Sequence, residues 1–385
     1  MQIPFTASSG SSLGVEWELE LVDLESRQLV GAASDILGEL GQRSGCPDGS
    51  HPKAKHELLE SCVEIITGVC DTVDAAVADL RATLDEVGQA AAQRGLGVMC
   101  SGTHPTSDWN HQQISPNPRY ERLVEQMQWP ARRLQIFGVH VHVGVRSPDK
   151  AIPIVNALTA YIPHFLALSA SSPYWVGTDT GLASARSKVF EGLPTAGVPY
   201  QLTGWEDFEE FMSTLICADT ISSVREVWWD VRPHPQFGTV ELRICDGLPT
   251  LYEISWAAAL SQCLVEMLDG QLDRGYTLPA PKGWTVRENK WRAARYGIDA
   301  DLIVDDGGST RPLREMVVEL VEELVPIGER LGCAKALLRV KDVLEVGPSY
   351  LRQRAWAEAA NGDLHAVVDG LLAEMRQDAP AGLAL

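Results

Sequence analysis

Acid and apolar residues alternate strictly through Gly14-Val15-Glu16-Trp17-Glu18-Leu19-Glu20-Leu21. A period of two is the signature of a β-strand, so Glu16, Glu18 and Glu20 share one face and Val15, Trp17, Leu19 and Leu21 the other. Neighbouring carboxylates on that face lie roughly 7 Å apart, given a strand rise of about 3.3 Å per residue. Like charges at that spacing are unfavourable unless solvent or a cation neutralises them. A surface strand with a solvated face would satisfy this pattern taken alone.

Three further segments repeat it. In Phe137-Gly138-Val139-His140-Val141-His142-Val143-Gly144-Val145 the valines and Phe137 point one way, and His140, His142 and two glycines the other. Two imidazoles on one face make a plausible metal-binding pair, and glycines beside them allow close approach of a ligand or backbone. In Thr239-Val240-Glu241-Leu242-Arg243-Ile244, Glu241 and Arg243 share a face. If this run pairs with the strand before it, Asp230 and Arg232 join that face, either as an ion-pair lattice or as part of a site. Glu57 and Glu64 sit seven apart in the fourth segment; a continuous strand would put them on opposite faces, so a turn or bulge is expected between them if both serve one site.

The remaining periodicity mixes helix and strand. Val73, Val77, Leu80, Leu84 and Val87 recur at helical spacing over 71–94, with Gly95 as a stop, and 204–216, 251–270, 312–331 and 363–376 also read as helices. Strands are expected at 14–22, 62–67, 97–101, 137–145, 226–232 and 239–245. The last two are joined by a loop, His234 to Gly238, short enough for a hairpin. Strands neither alternate regularly with helices nor connect throughout by tight turns. An α+β fold with a mainly antiparallel sheet fits best.

The 385 residues, 45% of them hydrophobic, supply ample core. No repeat or low-complexity linker divides the chain, so 1–385 is read as one domain with a mainly helical section at 312–385. A net charge of −20 argues against nucleic acid or an anionic membrane as partner and makes local Arg and Lys clusters notable. The opening MQIPFTASSG lacks a basic segment followed by an apolar run, and eight scattered cysteines form no C-x-x-C pair. Both fit a cytoplasmic location. The apolar stretch 151–172, interrupted by Pro153, Asn156, Pro163 and His164, reads as buried helix rather than a membrane span.

Many carboxylates, one or two imidazoles and several arginines on apolar-backed strands suit Mg²⁺ or Mn²⁺ better than zinc. Acids around Mg²⁺ with arginines nearby suggest handling of nucleotide phosphate. The chain carries no G-x-x-x-x-G-K-[ST], kinase-type glycine loop or G-x-G-x-x-G turn. Any triphosphate would thus be held by metals, Arg and Lys.

In these residues the chain resembles the glutamate–cysteine ligase type 2 family, in its bacterial carboxylate–amine ligase (YbdK-like) branch. The similarity runs through GVEWELELV at 14–22, KHELLESCVEIITGVC at 55–70, SGTHP at 101–105, GVHVHVGVRS at 138–147 and the block 167–199. It continues through WWDVRPHPQFGTVELRICDG at 228–247 and ENKWRAARYGIDA at 288–300. The resemblance implies a saddle-like antiparallel sheet, related to glutamine synthetase, forming a funnel with helices on its outer face. It also implies ATP-dependent amide formation between a carboxylate and an amine through an acyl phosphate, with L-glutamate and L-cysteine as the usual pair and the whole chain as the catalytic domain. Carried over, Glu16, Glu18, Glu57, Glu64, His140 and Glu241 become metal ligands. His142 becomes a supporting or substrate-facing imidazole. Arg243 orients phosphate or the substrate carboxylate, Arg186 the amino-acid substrate, and Asn289, Lys290 and Arg292 lie near nucleotide. Partners would be small amino-acid or amine substrates and a second copy in a homodimer. Two competing readings remain at this point: a metal-dependent hydrolase using the His140-x-His142 pair, and a non-catalytic amino-acid or nucleotide sensor on a ligase scaffold.

Overall fold

The computed structural model describes residues 2–383, and β1 (Leu13–Asp23) runs through its centre. β2 (Ala54–His56), β3 (Cys62–Ile66), β4 (Leu96–Met99) and β5 (Val139–Gly144) follow, then the short pair β6 (Tyr174–Trp175) and β7 (Thr178–Asp179), β8 (Val231–His234) and β9 (Thr239–Leu242), and last a separate pair, β10 (Asp301–Ile303) and β11 (Thr310–Pro312). The main sheet has the order β2-β3-β1-β5-β9-β8, with β4 also paired to β1, and each of its ladders is antiparallel. This is the antiparallel sheet that the alternating patterns predict.

Register turns those patterns into two faces. Trp17 pairs with Ile65 and Val139, Val15 with Val141, Val141 with Leu242, and Val143 with Val240. These side chains form a fully buried apolar face. Helices cover it: α1 (Ala33–Ser44), α2 (Val73–Ala92), then, beyond α3 (Pro118–Met127) and α4 (Trp129–Arg132), α5 (Pro148–Leu158) and α6 (Ile162–Ser169). After α7 (Ala185–Phe190) and α8 (Trp205–Cys217) comes α9 (Leu251–Asp273), which lies against β1 and β5. α9 buries residues around its whole circumference, as a helix between layers must. Its far side carries α11 (Leu313–Leu331) and α12 (Ala334–Val346), which follow α10 (Gly283–Tyr296). The chain finishes in α13 (Ser349–Ala359) and α14 (His365–Gln377). Buried Arg352 forks onto Glu374 at 2.6 and 3.1 Å and reaches Glu253 at 2.9 Å, fastening both to α9.

Segment 148–169 is apolar enough to cross a membrane, but here it is buried in the core as α5 and α6. The expected strand at 226–232 is displaced. Arg232 Nη1 donates to the carbonyls of Val224 and Val227 at 3.1 and 2.8 Å, curling the chain there, and the strand instead runs Val231–His234. Pro233 is accommodated because β8 is the last strand of the path. The hairpin turn tightens to 235–238, where Gly238 has φ +63° and lies so close to the Thr6 carbonyl that a Cβ would overlap it.

Candidate active site

The polar face of the sheet is a row of cross-strand pairs. Glu64 stands opposite Glu18, Glu16 opposite His140, His142 opposite Glu241, and Glu241 opposite Arg232. These groups line a cavity of about 760 Å³, as do Glu57, Arg186 and Arg243. Between Glu57 and Glu64 the chain leaves β2, turns through 58–61 and re-enters the sheet as β3, so both reach the same space.

Two triads bring ligand atoms within 4.8 Å of one another: Glu16, His140 and Glu241, and Glu18, Glu64 and His140. His140 Nδ1 lies 3.0 Å from Glu16, and its Nε2 lies 3.9 Å from Glu18. Burial and the Arg243 charge push His140 down to about 4, so its imidazole is neutral at physiological pH. A proton on Nδ1, donated to the Glu16 carboxylate, would leave the Nε2 lone pair for the Glu18–Glu64 side. His142 Nδ1 meets Thr239 Oγ1 at 3.0 Å and its Nε2 lies 3.3 Å from Glu16. Burial opposes protonation of His142, but Glu241 and Glu16 outweigh it and raise its pKa.

The acids divide electrostatically. Burial opposes ionisation of Glu16 and Glu241, yet His140 and His142 hold Glu16 well below the carboxylate range, and Arg232 and Arg243 do the same for Glu241. Burial and Glu57 instead push Glu18 up to about 8. Burial and the three carboxylates Glu16, Glu57 and Glu18 likewise lift Glu64 well above the usual carboxylate range. Crowded carboxylates of this kind, with one neutral imidazole, fit a hard divalent cation such as Mg²⁺ or Mn²⁺, whose charge would restore their ionised forms.

Cations line the cavity beside the acids. Arg232 grips Glu241 with a two-point fork at 2.7 and 3.1 Å, and Arg243 bonds the same carboxylate. Arg186 fits where Gly138 has no side chain; a Cβ there would stand 2.4 Å from its Nη2. Its helix, α7, is capped by Ser184, whose hydroxyl donates to buried Asp246 at 2.8 Å. Arg186 and Arg243 each keep a buried Nε–H with no partner among the described residues.

Glu20 shares the polar face of β1 but is fully buried and does not line the cavity. Ser101 N–H and hydroxyl donate to it at 2.8 and 2.9 Å, and burial lifts it to about 8. Nor does the 288–296 block reach the cavity. Asn289 clamps the Ile303 backbone at 2.9 and 2.8 Å, and Arg292 bonds Glu288 and the Asp301 carbonyl. Lys290 is buried between Asp230 and Glu191. Several cavity residues lay outside the sequence-based set: Tyr120, whose hydroxyl donates to Glu57 at 3.1 Å, and Arg119, Arg225 and Trp228. For Tyr120 and Arg119 a signal existed, since Asn117-Pro118 announces a helix start.

A family model described as glutamate-cysteine ligase family 2 matches residues 12–370. A protein of Frankia alni, provisionally named glutamate–cysteine ligase 2-1, is 62% identical over 380 residues, covering 99% of each chain. A Thermobifida fusca protein, provisionally named glutamate–cysteine ligase 2, is 56% identical over 99% of this chain and 95% of its own. Among solved structures, glutamate–cysteine ligase from Francisella tularensis in complex with AMP superposes with a TM-score of 0.66, covering 97% of this chain and 89% of that one. At 13% identity that likeness is one of fold. Matched along nearly its whole length, the chain belongs to glutamate–cysteine ligase family 2 and is by family a ligase.

Proposed function

We propose that this protein joins a carboxylate to an amine at the expense of ATP, with glutamate and cysteine as the leading pair and γ-glutamylcysteine as product. The observation that carries this reading is the pair of acid triads sharing His140, set beside Arg243 and Arg186 in one cavity. A carboxylate is a poor electrophile because its charge is delocalised and oxide is a poor leaving group. Its oxygen attacks the γ-phosphorus of ATP, ADP departs, and the acyl phosphate so formed now has phosphate as leaving group. The neutral amine nitrogen then attacks the carbonyl carbon, phosphate leaves, and the nitrogen loses a proton.

Glu16, Glu18, Glu57, Glu64, His140 and Glu241 are the residues that would hold divalent cations, which when bound neutralise triphosphate charge. Arg243, fixed by Glu241, presents a planar fork to the transferring phosphoryl group. Arg186, anchored through α7, faces the amino-acid carboxylate. Both are held by buried structure, so little reorganisation is needed as charge develops. Asn289 and Arg292, occupied with backbone and neighbouring side chains, receive no nucleotide role here.

Phosphate release measured over a matrix of amino acids and amines with Mg·ATP, with mass detection of products, tests the proposal. ADP and an amide are expected only when acid, amine and ATP are all present. Turnover of a substrate without nucleotide would point to a hydrolase instead, and nucleotide binding with no turnover across the matrix to a sensor.

A further inference from the structure

Behind the wall that carries Arg186 lies a second cavity, of about 400 Å³. That wall is one layer thick. Helix α7 and the residue after it turn Arg186 and Phe190 toward the carboxylate cavity, and Lys188 and Glu191 toward the second one. The adjacent residues Trp228 and Trp229 divide in the same way.

Two kinds of surface meet in the second cavity. Phe211 and Trp229 are in ring contact at 5.0 Å between centroids, and Tyr200 lies 6.0 Å from each. Tyr200 is 56% exposed, so part of this aromatic cluster opens to solvent. The cations are Lys188, Lys290 and Arg287. Lys290 is spent on Asp230, at 2.8 and 2.7 Å, and on one oxygen of Glu191 at 2.7 Å. Lys188 takes the other oxygen of Glu191 at 2.6 Å. Exposed Arg287 forms no ion pair among the described residues. Three cations against these two carboxylates leave one positive charge in surplus, on a chain whose net charge is −20.

A flat ring finds stacking partners in such a cluster, and an anionic group finds the surplus cation, Arg287, whose guanidinium is a planar fork. We propose that this cavity is a second ligand site, for a nucleoside phosphate, with the base against Tyr200, Phe211 and Trp229 and the phosphate at Arg287 and Lys188. Its size falls within the ~300–1,000 Å³ usual for small-molecule sites. The site is coupled to the carboxylate cavity at two points. Helix α7 serves both cavities, and the carbonyl of Asp230, whose side chain Lys290 holds, accepts the Arg243 backbone N–H at 2.7 Å. A ligand that shifts either point changes the setting of Arg186 or Arg243, and by linkage substrate binding changes the ligand's affinity equally.

Isothermal titration of the full chain with ADP in EDTA reads the site without any turnover. The wild type is expected to bind ADP, and both Arg287→Glu and Tyr200→Ala to weaken that binding at least tenfold with an unchanged melting temperature. Glu16→Gln, in the other cavity, is expected to leave it unchanged. Absence of ADP binding would overturn the proposal, as would an affinity that Arg287→Glu and Tyr200→Ala leave alone. If ADP binds in this pattern while the ligase matrix gives no product, the ligase reading falls and the second site stands.

Discussion

Glu18 and Glu64 stand directly across from one another on adjacent antiparallel strands, a pair of carboxylates in one cross-strand position. Like charges so placed oppose folding by several tenths to about 1 kcal/mol. A proton or a cation relieves the conflict, and the pair lines the proposed metal site. Mg²⁺ should therefore raise the melting temperature of the wild type. Glu64→Gln should stabilise the metal-free chain by about 1 kcal/mol and lose most of the Mg²⁺ response. Thermal unfolding with and without MgCl₂ measures both; an undiminished response in the variant would remove Glu64 from the ligand set.

Glu16 and Glu241 belong to the same triad but differ in what their loss exposes. Glu16→Gln should keep the fold and lower Mg²⁺-dependent product formation by about a hundredfold or more. Glu241→Gln also strips the counter-charge from buried Arg232 and Arg243, which costs about 3–5 kcal/mol. Phosphate release paired with urea unfolding should show activity loss alone in the first and both losses in the second. Full activity in Glu16→Gln would end its assignment as a ligand.

Gly138→Ala tests the seat of Arg186. The added methyl displaces a guanidinium that otherwise packs against bare backbone. The KM for the amino-acid substrate should rise about tenfold or more while kcat changes less, because in the proposed division of roles the displaced group binds substrate rather than the transferring phosphoryl. Arg243→Lys, which loses the planar fork, should show the opposite split. Identical kinetic signatures in the two variants would refute the division of roles.

Acid should destabilise the protein partly through His164. Burial holds its pKa down to about 4, against 6.5 in the unfolded chain. Between those values the unfolded chain takes up a proton that the native state refuses. The contribution is complete above pH 6.5 and is lost as pH falls toward 4. It amounts to about 3 kcal/mol at roughly 1.4 kcal/mol per pH unit. His164→Leu should flatten that part of the stability–pH curve in urea titrations. Superimposable curves would show that His164 is not the group responsible.

Much of the sheet was legible because period-two patterning reports directly on two-faced strands. Val15 to Leu21 and Val139 to Val143 place their side chains as the alternation predicts. The strand expected at 226–232 was displaced because a long-range cause, the Arg232 side chain reaching back to carbonyls at 224 and 227, leaves no mark in local periodicity. Helix α10 left no apolar stripe to read because its buried face, Val286, Asn289, Lys290, Ala293 and Ala294, includes two polar side chains. Helices α12 and α13 fall in the section 312–385 that reads as mainly helical, without bounds of their own. Arg119 reaches the cavity from α3, where no strand pattern points to it, and Trp228 from the irregular stretch that replaces the expected strand.

Side chains for chemistry and side chains for packing take turns along the eleven residues of β1. Sliding that strand by one position would press Glu16, Glu18 and Glu20 into the oily layer against α9 and lift Trp17 into the solvent-facing hollow. Intermediate alignments are thus forbidden, and catalytic order cannot fray ahead of the interior. Amide protons of β1 should then exchange only when the whole molecule opens, which makes their exchange rate a gauge of how long the working geometry survives.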